Sequence, residues 1–362
     1  MIGGFLGAGK TTAIGLLAKH LTGKNRKVGL ITNDQAGGLV DTKLLRSQGF
    51  ATEEIAGGCF CCRFNSLVQA AGNLSESTRP DVFIAEPVGS CTDLVATVTY
   101  PLRRLYGDDF TISPLSVLID PTRARRIFGL ESGRTFSSKV AYIFEKQLEE
   151  ANIIVISKRE LLSESQEAEL KTLLVSRFPR AQVLAISSRD GSGLDEWFAA
   201  MESQEQIQHA AMEVDYDVYA DGEALLGWLN ATIVLRSDDE IDANIFLQTL
   251  AKNAQKQLRE HSAEIAHFKM TFSPDDSLSG ELASINVVRT DANPEMGMEL
   301  DEPCESGQLI INLRAEADPK LLSEIIHKAV ELTISEFPIL NATIEHEEFF
   351  RPGRPTPTHR DS

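Results

Sequence analysis

The segment GGCFCCRF (57–64) contains the residues whose type and spacing most directly suggest chemistry. The chain has five cysteines, and Cys59, Cys61 and Cys62 lie within four positions of one another. Thiolates bind soft and borderline metals, with Zn²⁺ the usual choice and Co²⁺, Ni²⁺ or Cu(I) as alternatives. The two preceding glycines allow the backbone to turn tightly enough for the sulfurs to converge. The pattern favours a metal site, while a redox switch and inert buried thiols stay open.

A second group of residues matches a phosphate-binding loop. Residues 4–11, GFLGAGKT, satisfy the pattern G-x-x-x-x-G-K-[ST] in full. Glycines let backbone N–H groups surround phosphate oxygens, and the N-terminus of the following helix adds a positive dipole. Lys10 is predicted to bind the β- and γ-phosphates and Thr11 to ligate Mg²⁺. The predicted nucleotide-binding residues of this loop are Gly4, Gly7, Ala8, Gly9, Lys10, Thr11 and Thr12.

Only Met1 and Ile2 precede these glycines. A phosphate-binding loop normally follows a buried strand of about 5–6 residues. We therefore expect the natural chain to begin upstream of Met1.

Apolar segments alternate with segments of helical periodicity through the first 200 residues or so. The pattern predicts strands over 26–33, 81–89, 113–121, 152–157 and 181–188, and helices over 10–24, 63–74, 137–151 and 163–177. This alternation predicts an α/β P-loop NTPase domain, with a mostly parallel sheet and flanking helices, over residues 1–203. Ligands of such sheets bind at the carboxyl ends of the strands, where the motifs fall.

The second half of the chain has a different pattern. Residues 204–222 are polar and acidic and are interpreted as a linker. Strand-like segments and two amphipathic helices over 223–337 predict a smaller α+β domain. The remaining residues, 338–362, are expected to form an extended tail.

The bulk composition limits the possible partners and the compartment. The 362 residues carry a formal net charge of −18, which argues against nucleic acid or an anionic membrane as the main partner. No apolar run approaches the ~20 residues of a membrane span, and the N-terminus has no signal-peptide pattern. Clustered cysteines in odd number fit a reducing compartment. We therefore predict a cytoplasmic protein.

Six segments together resemble the CobW-like P-loop GTPases, relatives of the hydrogenase and urease nickel-insertion GTPases. They are, in chain order, GGFLGAGKTT, ITND, GGCFCC, FIAEPVG, ISKREL and AISSRDGSGLDEW. The resemblance covers residues 1–200 well and the second half only in outline. It implies a metallochaperone that binds GTP with Mg²⁺, hydrolyses it slowly and carries a metal at the C-x-C-C motif.

The resemblance also implies roles at particular positions. Lys10 and Thr11 take the phosphate and Mg²⁺ roles, and Glu86 matches a carboxylate that acts on Mg²⁺. Asp34 stands where the family commonly has Glu, and it completes the predicted catalytic set. Gly89 matches a glycine whose N–H contacts the γ-phosphate.

The base-recognition motif departs from the family pattern. Family members usually have Asn-Lys-x-Asp, whereas this chain has Ser157, Lys158, Arg159 and Glu160. Glu160 can accept two hydrogen bonds from guanine, and the stem of Lys158 can stack on the base, but Ser157 cannot replace the amide of Asn. Backbone groups at Ser187 and Ser188 are predicted to contact the guanine O6. We predict GTP as the ligand, with ATP or relaxed specificity as the alternative.

The sequence thus predicts a GTP-binding metallochaperone that delivers metal to a client metalloprotein or a cofactor-pathway protein, and that could form a homodimer. Because the cysteines lie between the Asp34 and Glu86–Gly89 loops, nucleotide state is expected to set the spacing of the sulfurs. A fourth metal ligand could come from Asp34, Glu53 or Glu54. The alternatives are a nucleotide-gated maturation chaperone without metal transport and an ATP-using P-loop protein.

Overall fold

The computed structural model describes residues 1–35, 40–203, 211–275, 281–337 and 340–361. The strands are β1 Ile2–Gly4, β2 Val28–Asn33, β3 Ala51–Ile55, β4 Val82–Glu86, β5 Ser116–Ile119, β6 Ile153–Ile156, β7 Gln182–Ala185, β8 Leu226–Ile241, β9 Glu264–Pro274, β10 Ala283–Val287, β11 Glu295–Met298, β12 Cys304–Glu316 and β13 Leu340–Phe350. The α-helices are α1 Lys10–Gly23, α2 Val40–Ser47, α3 Phe64–Ser77, α4 Tyr100–Tyr106, α5 Pro121–Ile127, α6 Ser138–Glu149, α7 Glu164–Arg177, α8 Leu194–Ser203, α9 Tyr216–Leu225, α10 Ala243–Glu260 and α11 Pro319–Glu336. A π-helical turn spans Val95–Thr99 and a 3-10 turn spans Arg159–Leu161.

The chain divides into two compact units. The first comprises Met1–Gly37, Gln48–Gly222 and Arg354–Ser362, and the second comprises Gly38–Ser47 and Glu223–Gly353. The second unit thus includes α2, which lies early in the chain.

The first unit is built on parallel strands. One sheet has the order β1-β5-β6-β7 and the other has the order β3-β2-β4, and every pairing in both is parallel. The strands β2, β5 and β6 are buried along their whole length, as expected for a sheet covered by helices on its faces. The predicted α/β fold class is confirmed, and the predicted motifs follow the carboxyl ends of β1, β2, β4 and β6.

The second unit is an antiparallel sheet with the order β11-β10-β9-β12-β8-β13. Helices α10 and α11 bury their apolar stripes in a core that includes Phe246, Leu250, Ile311 and Ile326. On α10 the buried apolar residues recur at helical spacing, as expected for an amphipathic helix. The predicted second domain of class α+β is therefore confirmed as a fold class.

Two segments of the chain have more structure than the sequence pattern predicts. The predicted linker overlaps α9, whose first turn is capped by the Asp215 carboxylate, which accepts from the N–H groups of Asp217 and Val218. The predicted extended tail begins with β13, which pairs antiparallel with β8. Most side chains of β13 are exposed and several are acidic, so this edge strand is held by its backbone ladder and lacks the apolar alternation that predicts a strand.

A membrane-crossing helix would need a long apolar stretch. In the described parts of the chain, no helix is both long enough and apolar enough to cross a membrane.

Candidate nucleotide and metal sites

The phosphate-binding loop joins β1 to α1 in the conformation that its glycines permit. Gly4, Gly7 and Gly9 all have positive φ, and Gly9, at φ 84°, immediately precedes the first residue of α1. At Gly4 a Cβ would lie 2.2 Å from the backbone oxygen of Leu118 on β5, so this position excludes any side chain. Ala8 is buried, with its N–H on the Phe5 carbonyl, whereas Thr12 is exposed.

Lys10, Thr11 and Glu86 form a buried polar group at the start of α1 and the end of β4. The Thr11 hydroxyl donates to both carboxylate oxygens of Glu86, at 3.1 and 3.2 Å. The Lys10 Nζ lies 4.0 Å from Glu86 Oε1, and both side chains are less than a tenth exposed. Mg²⁺ prefers a hydroxyl and a carboxylate oxygen as ligands, so this pair fits the ion that accompanies a nucleoside triphosphate.

Gly89 packs against the phosphate-binding loop. A Cβ at this position would lie 2.7 Å from Leu6 Cδ2 and 3.0 Å from the Leu6 nitrogen. A side chain would therefore push the loop after β4 away from the phosphate-binding loop. The close approach brings the Gly89 segment against the phosphate-binding loop, and its contact with a γ-phosphate stays a prediction.

The base-recognition segment is tied to the phosphate-binding loop by one side chain. Lys158 adopts a left-handed backbone conformation, and its Nζ donates to the Gly7 carbonyl at 3.2 Å and to Asp120 Oδ2 at 3.1 Å. Asp120 is buried and also caps α5 by accepting from the Arg123 N–H. These two hydrogen bonds hold the Lys158 side chain beside the loop, in an orientation that would let its aliphatic stem stack on a base.

The other predicted base-contacting residues lie on two adjoining loops. The N–H of Arg159 donates to the Ile186 carbonyl at 3.1 Å, which joins the loop after β6 to the loop after β7. The Ser157 hydroxyl donates to the Ile119 carbonyl, so it stabilises the ends of β5 and β6. Glu160 is exposed in its single turn. The structure thus leaves the Glu160 carboxylate accessible while the Ser157 side chain is buried.

The loop after β7 is organised by Ser187. Its hydroxyl accepts from the N–H groups of Arg189 and Asp190, each at 3.2 Å. Ser188 is half-buried beside it. The serine at 187 therefore fixes the backbone of the loop that is predicted to meet the guanine.

The Asp34 segment is connected to the cysteine motif by backbone and side-chain hydrogen bonds. Asp34 is buried at the end of β2, and its N–H donates to the Ile55 carbonyl at 3.1 Å. The Asn33 amide donates to Ile55 and, at 2.7 Å, to the carbonyl of Gly58, which immediately precedes Cys59. Residues 36–39, which follow in this loop, lie outside the described residues.

The three cysteine sulfurs converge at the start of α3. The Sγ–Sγ distances are 2.8 Å for Cys59–Cys61, 3.2 Å for Cys59–Cys62 and 3.7 Å for Cys61–Cys62. The turn is closed by N–H groups of Cys62 and Arg63, which both donate to the Cys59 carbonyl. Sulfurs around tetrahedral zinc lie about 3.8 Å apart, given Zn–S bonds of about 2.3 Å, so an opening of roughly 1 Å would admit the ion.

The three thiols differ in their pKa values. Hydrogen bonds from Cys61 and Cys62 hold the pKa of Cys59 well below its ordinary value. The same hydrogen bonds, with burial, raise the pKa of Cys61 above its ordinary value, and the hydrogen bond to Cys59 raises the pKa of Cys62 to about 11. Cys59 is thus the most acidic of the three thiols, and a bound metal would displace the protons of its two neighbours.

None of the proposed carboxylate ligands joins the cluster. Among the described residues, the three cysteines are the group of metal-ligating side chains whose donor atoms lie within 4.8 Å of one another. Asp34, Glu53 and Glu54 are not part of that group, so the expectation that one of them supplies a fourth ligand finds no support in the geometry.

Cys91 lies outside the C-x-C-C motif, and the sequence predicts no role for it. Its thiol hydrogen-bonds to the side chain of Cys59, and the residue is 1% exposed. Cys91 lies two residues after Gly89, so the loop after β4 contacts the cysteine motif through the sulfurs of Cys91 and Cys59. No local pattern predicts this contact, because 32 positions of sequence separate the two cysteines.

The sequence also predicts no role for Arg123 and Arg125. Both are buried. Arg123 donates to the carbonyl of Leu6 in the phosphate-binding loop, and its guanidinium lies 4.9 Å from the ring centroid of Phe136. Arg123 therefore supports the phosphate-binding loop through a hydrogen bond to its backbone and a cation–π contact with Phe136.

The C-terminal residues contribute contacts that the predicted mobile tail would not make. Thr356 donates its N–H to the sulfur of Cys62 at 3.2 Å, and Thr358 donates its N–H to the Cys61 carbonyl at 2.8 Å. Arg360 pairs with Asp93 at 2.8 Å. The one signal in the sequence was the presence of three arginines in the last twelve residues of an acidic chain.

Asp93 and Glu150 form an acidic pair beside this segment. Glu150 accepts from the N–H of Val95 at 3.0 Å and from the hydroxyl of Thr92 at 3.3 Å. Burial raises the pKa of Glu150 to about 8, and the charge of Asp93 adds to that rise. Glu150 is therefore mostly protonated at neutral pH.

This pKa predicts how stability depends on pH. Because the folded-state pKa of Glu150 lies above its ordinary value of 4.5, its contribution is present below about pH 4.5 and is lost as the pH rises through 8. We expect Glu150→Gln to raise the free energy of unfolding at pH 9 by on the order of 3 kcal/mol relative to the natural chain, with little difference at pH 4.5. Urea unfolding at both pH values measures this.

Glu149→Gln is the matched control, since Glu149 is the exposed residue next to Glu150, at the last position of α6. A difference between Glu150→Gln and the natural chain that is the same at both pH values would contradict the assignment.

Comparison with known proteins identifies the family. The family model described as "CobW/HypB/UreG, nucleotide-binding domain" matches residues 1–185, which is half of the chain. The chain belongs to this family. The resemblance predicted from the six sequence segments is thereby confirmed, and the P-loop of the chain is of the GTPase type that the family carries.

Three curated relatives have related names. A zinc chaperone CobW of Sinorhizobium is 27% identical over 252 residues, which covers 60% of this chain and 70% of that protein. The zinc chaperone YeiR of Escherichia coli strain K12 is 30% identical over 175 residues, covering 47% and 49% respectively. A zinc-regulated GTPase metalloprotein activator 1 of Dictyostelium discoideum is 25% identical over 215 residues, covering 51% and 44%. This chain therefore spans about half the length of the last two.

Solved structures show more distant similarity. HypB of Helicobacter pylori in complex with nickel is 17% identical, with a TM-score of 0.42, over 57% of this chain and 89% of that one. The Zn(II)-bound YjiA GTPase of E. coli is 15% identical, with a TM-score of 0.35, over 92% and 97%. At these scores no structural detail is transferred from them.

Proposed function

We propose that this chain is a GTP-dependent zinc chaperone that carries zinc on Cys59, Cys61 and Cys62 and delivers it to a client protein. The observation that supports this most directly is the convergence of the three sulfurs within 4.8 Å of one another, in the same unit as the phosphate-binding loop. Two of the curated relatives are named zinc chaperones. Thiolate-rich sites favour zinc, with cobalt and nickel as the alternatives.

The nucleotide is bound through its phosphates. The backbone amides of the loop and Lys10 hold the phosphate oxygens, and Thr11 and Glu86 hold Mg²⁺, which neutralises phosphate charge when bound. Water is the nucleophile, and Asp34 and the Gly89 N–H lie on the loops that respond to the γ-phosphate. Arg123 donates to the Leu6 carbonyl and so supports the loop, and hydrolysis in the absence of a stimulating partner is proposed to be slow.

Guanine is the preferred base in this proposal. Lys158 stacks along the base, and Glu160 accepts from its N1–H and N2–H groups, with the backbone of the Ser187–Ser188 loop at O6. The Ser157 hydroxyl already donates to the Ile119 carbonyl, so the base lacks one side-chain hydrogen bond of the usual motif. This loss reduces the preference for GTP over ATP. Competition of GTP and ATP for the same site measures that preference.

Coupling between nucleotide and metal runs through two contacts. Asn33 joins the end of β2 to Gly58, and Cys91 joins the Gly89 loop to Cys59. A γ-phosphate that orders the Asp34 and Gly89 loops therefore also positions the sulfurs. By linkage, bound zinc changes the affinity for GTP by the same factor.

The test is a zinc titration of one reduced sample in the presence of GDP or of a non-hydrolysable GTP analogue. We expect the zinc affinity to differ by about 5- to 150-fold between the two nucleotides, the usual range of coupling. The reciprocal titration of nucleotide with and without zinc checks the same factor. Equal zinc affinities in both nucleotide states would refute the coupling, and a chain that binds no zinc would refute the chaperone proposal as a whole.

A further inference from the structure

The C-terminal segment Arg354–Asp361 returns to the first unit and lies along the cysteine motif. Three hydrogen bonds attach it there: Thr356 N–H to Cys62 Sγ at 3.2 Å, Thr358 N–H to the Cys61 carbonyl at 2.8 Å, and the Thr358 hydroxyl to the Cys62 carbonyl at 3.1 Å. Next to these, the ring of His359 packs edge-on against Phe64, at 4.9 Å between centroids. The segment therefore contacts Cys61, Cys62 and Phe64.

The sequence of this segment selects the donor that meets the sulfur. Pro355 and Pro357 flank Thr356, and proline has no N–H. Thr356 therefore carries the only backbone N–H over these three positions, and it donates to Cys62. The two prolines also restrict the backbone to an extended conformation, so the donor is held in place with little loss of chain entropy on docking.

The far end of the segment is anchored by charge. Arg360 donates to Asp93 Oδ2 at 2.8 Å and to the Met212 carbonyl at 3.0 Å. Asp93 is 1% exposed and has a left-handed backbone at φ 64°, and its Oδ2 also accepts from Tyr216. A buried carboxylate needs a cation or donors close by, so this pair resists separation. One residue further on, Asp361 donates its N–H to the Ala96 carbonyl at 2.9 Å.

We infer that Arg354–Asp361 is part of the metal site, where the Thr356 N–H stabilises the metal-bound thiolate of Cys62 and the segment closes the site against exchange. The inference rests on the proposed function, since it takes zinc at the cysteine motif as given. An N–H donated to a thiolate offsets part of its charge and fixes its direction, as the outer hydrogen bonds of metal sites do. Cys62 is the half-buried member of the cluster, and the segment lies on it, so an acceptor of the metal reaches this sulfur after the segment has left.

The anchor also joins the segment to the nucleotide side. Asp93 follows Gly89 by four residues, on the same loop that packs against Leu6 of the phosphate-binding loop. A movement of that loop would change the position of the Asp93 carboxylate and therefore the strength of its ion pair with Arg360. The segment thus adds a second connection between nucleotide and metal, which starts from the same loop as the Cys59–Cys91 contact.

The test measures how fast zinc leaves the full-length chain for a chromophoric chelator, for the natural protein and two variants. Thr356→Pro removes the N–H and keeps the extended backbone, and Thr356→Ala keeps the N–H and removes the side chain. We expect Thr356→Pro to release zinc about 10- to 100-fold faster, the usual effect of losing an outer hydrogen bond at a metal site, and Thr356→Ala to stay within about twofold. With Co²⁺ in place of zinc, the thiolate-to-metal absorption band is expected to shift in Thr356→Pro alone.

Arg360→Gln tests the anchor separately and leaves the Thr356 donor in the chain. It is expected to accelerate release in the same direction and keep the fold, which is checked by thermal unfolding of the zinc-free protein. Release at the natural rate in both Thr356→Pro and Arg360→Gln would overturn the inference. A natural chain without bound zinc would instead overturn the proposed function, so the two failures are distinguishable.

Discussion

Lys10→Ala is expected to weaken GTP binding by about 100-fold. Lys10 is 7% exposed and lies at the first position of α1, where its ammonium is proposed to bind the phosphates. Losing a charge-assisted hydrogen bond to a phosphate costs about 1.5–3 kcal/mol, and the substitution also removes the cation that lies 4.0 Å from Glu86. Together these effects amount to roughly two orders of magnitude in Kd. Fluorescence titration with a labelled GTP analogue in the presence of Mg²⁺ measures the change.

Lys19→Ala is the matched control for this experiment. Lys19 lies on the same helix but is exposed, so its removal changes the net charge by the same amount. We expect its GTP affinity to stay within about twofold of that of the natural chain, since a single exposed charge is screened. Similar losses in both variants would mean that Lys10 acts only through the net charge of the protein.

Replacing Cys59, Cys61 and Cys62 together by serine is expected to remove zinc binding. The three sulfurs supply the donor set, and structural zinc sites contribute about 10 kcal/mol or more of binding energy at neutral pH. A serine hydroxyl stays protonated at this pH and is a poor zinc ligand. We therefore expect zinc content to fall from about one ion per chain to below a tenth, measured by elemental analysis after dialysis of the reduced protein.

Zinc binding by the natural chain is also expected to release about two protons near pH 7. We expect Cys59 to be the thiolate of the metal-free cluster, because hydrogen bonds from its neighbours depress its pKa, whereas Cys61 and Cys62 have raised pKa values. Proton release in a weakly buffered titration measures this number. Release of three protons would show that Cys59 is protonated before the metal binds.

Cys304→Ser provides the control for the triple variant. Cys304 is a buried cysteine of the second unit, so its replacement tests the general effect of a buried hydroxyl on the fold. Zinc content is expected to be unchanged in this variant. One retained zinc ion per chain in the triple-serine variant would place the metal elsewhere and contradict the assignment of the site.

The parts of both sites that could be predicted are contiguous in the sequence. GFLGAGKT and GGCFCC each place their functional groups within eight residues, so that backbone geometry alone brings the groups together. The parallel sheet was predictable for a similar reason, since continuous apolar strands alternate with amphipathic helices. The base-recognition segment was found through the resemblance, but the burial of Ser157 and the exposure of Glu160 were not predictable from their residue types.

The parts that escaped prediction depend on long-range contacts or lack an apolar pattern. The strand β13 is an exposed, acidic edge whose stability comes from its ladder with β8. The segment after it contains prolines and arginines, which by composition indicates an extended tail. Its docking depends on Asp93, which is 267 positions away from Arg360. Local propensity carries no information about such pairs.

The sequence by itself determined the chemistry: a triphosphate-binding loop, a cluster of three thiols and the α/β order of the elements between them. These properties follow from residue type and short spacing, which survive in any fold that forms the local turns. Only the tertiary structure decided that Thr11 meets Glu86, that Cys91 touches Cys59 and that the C-terminal segment meets Cys62. The physical reason is that these contacts join segments distant in sequence, and their positions depend on the packing of the whole first unit.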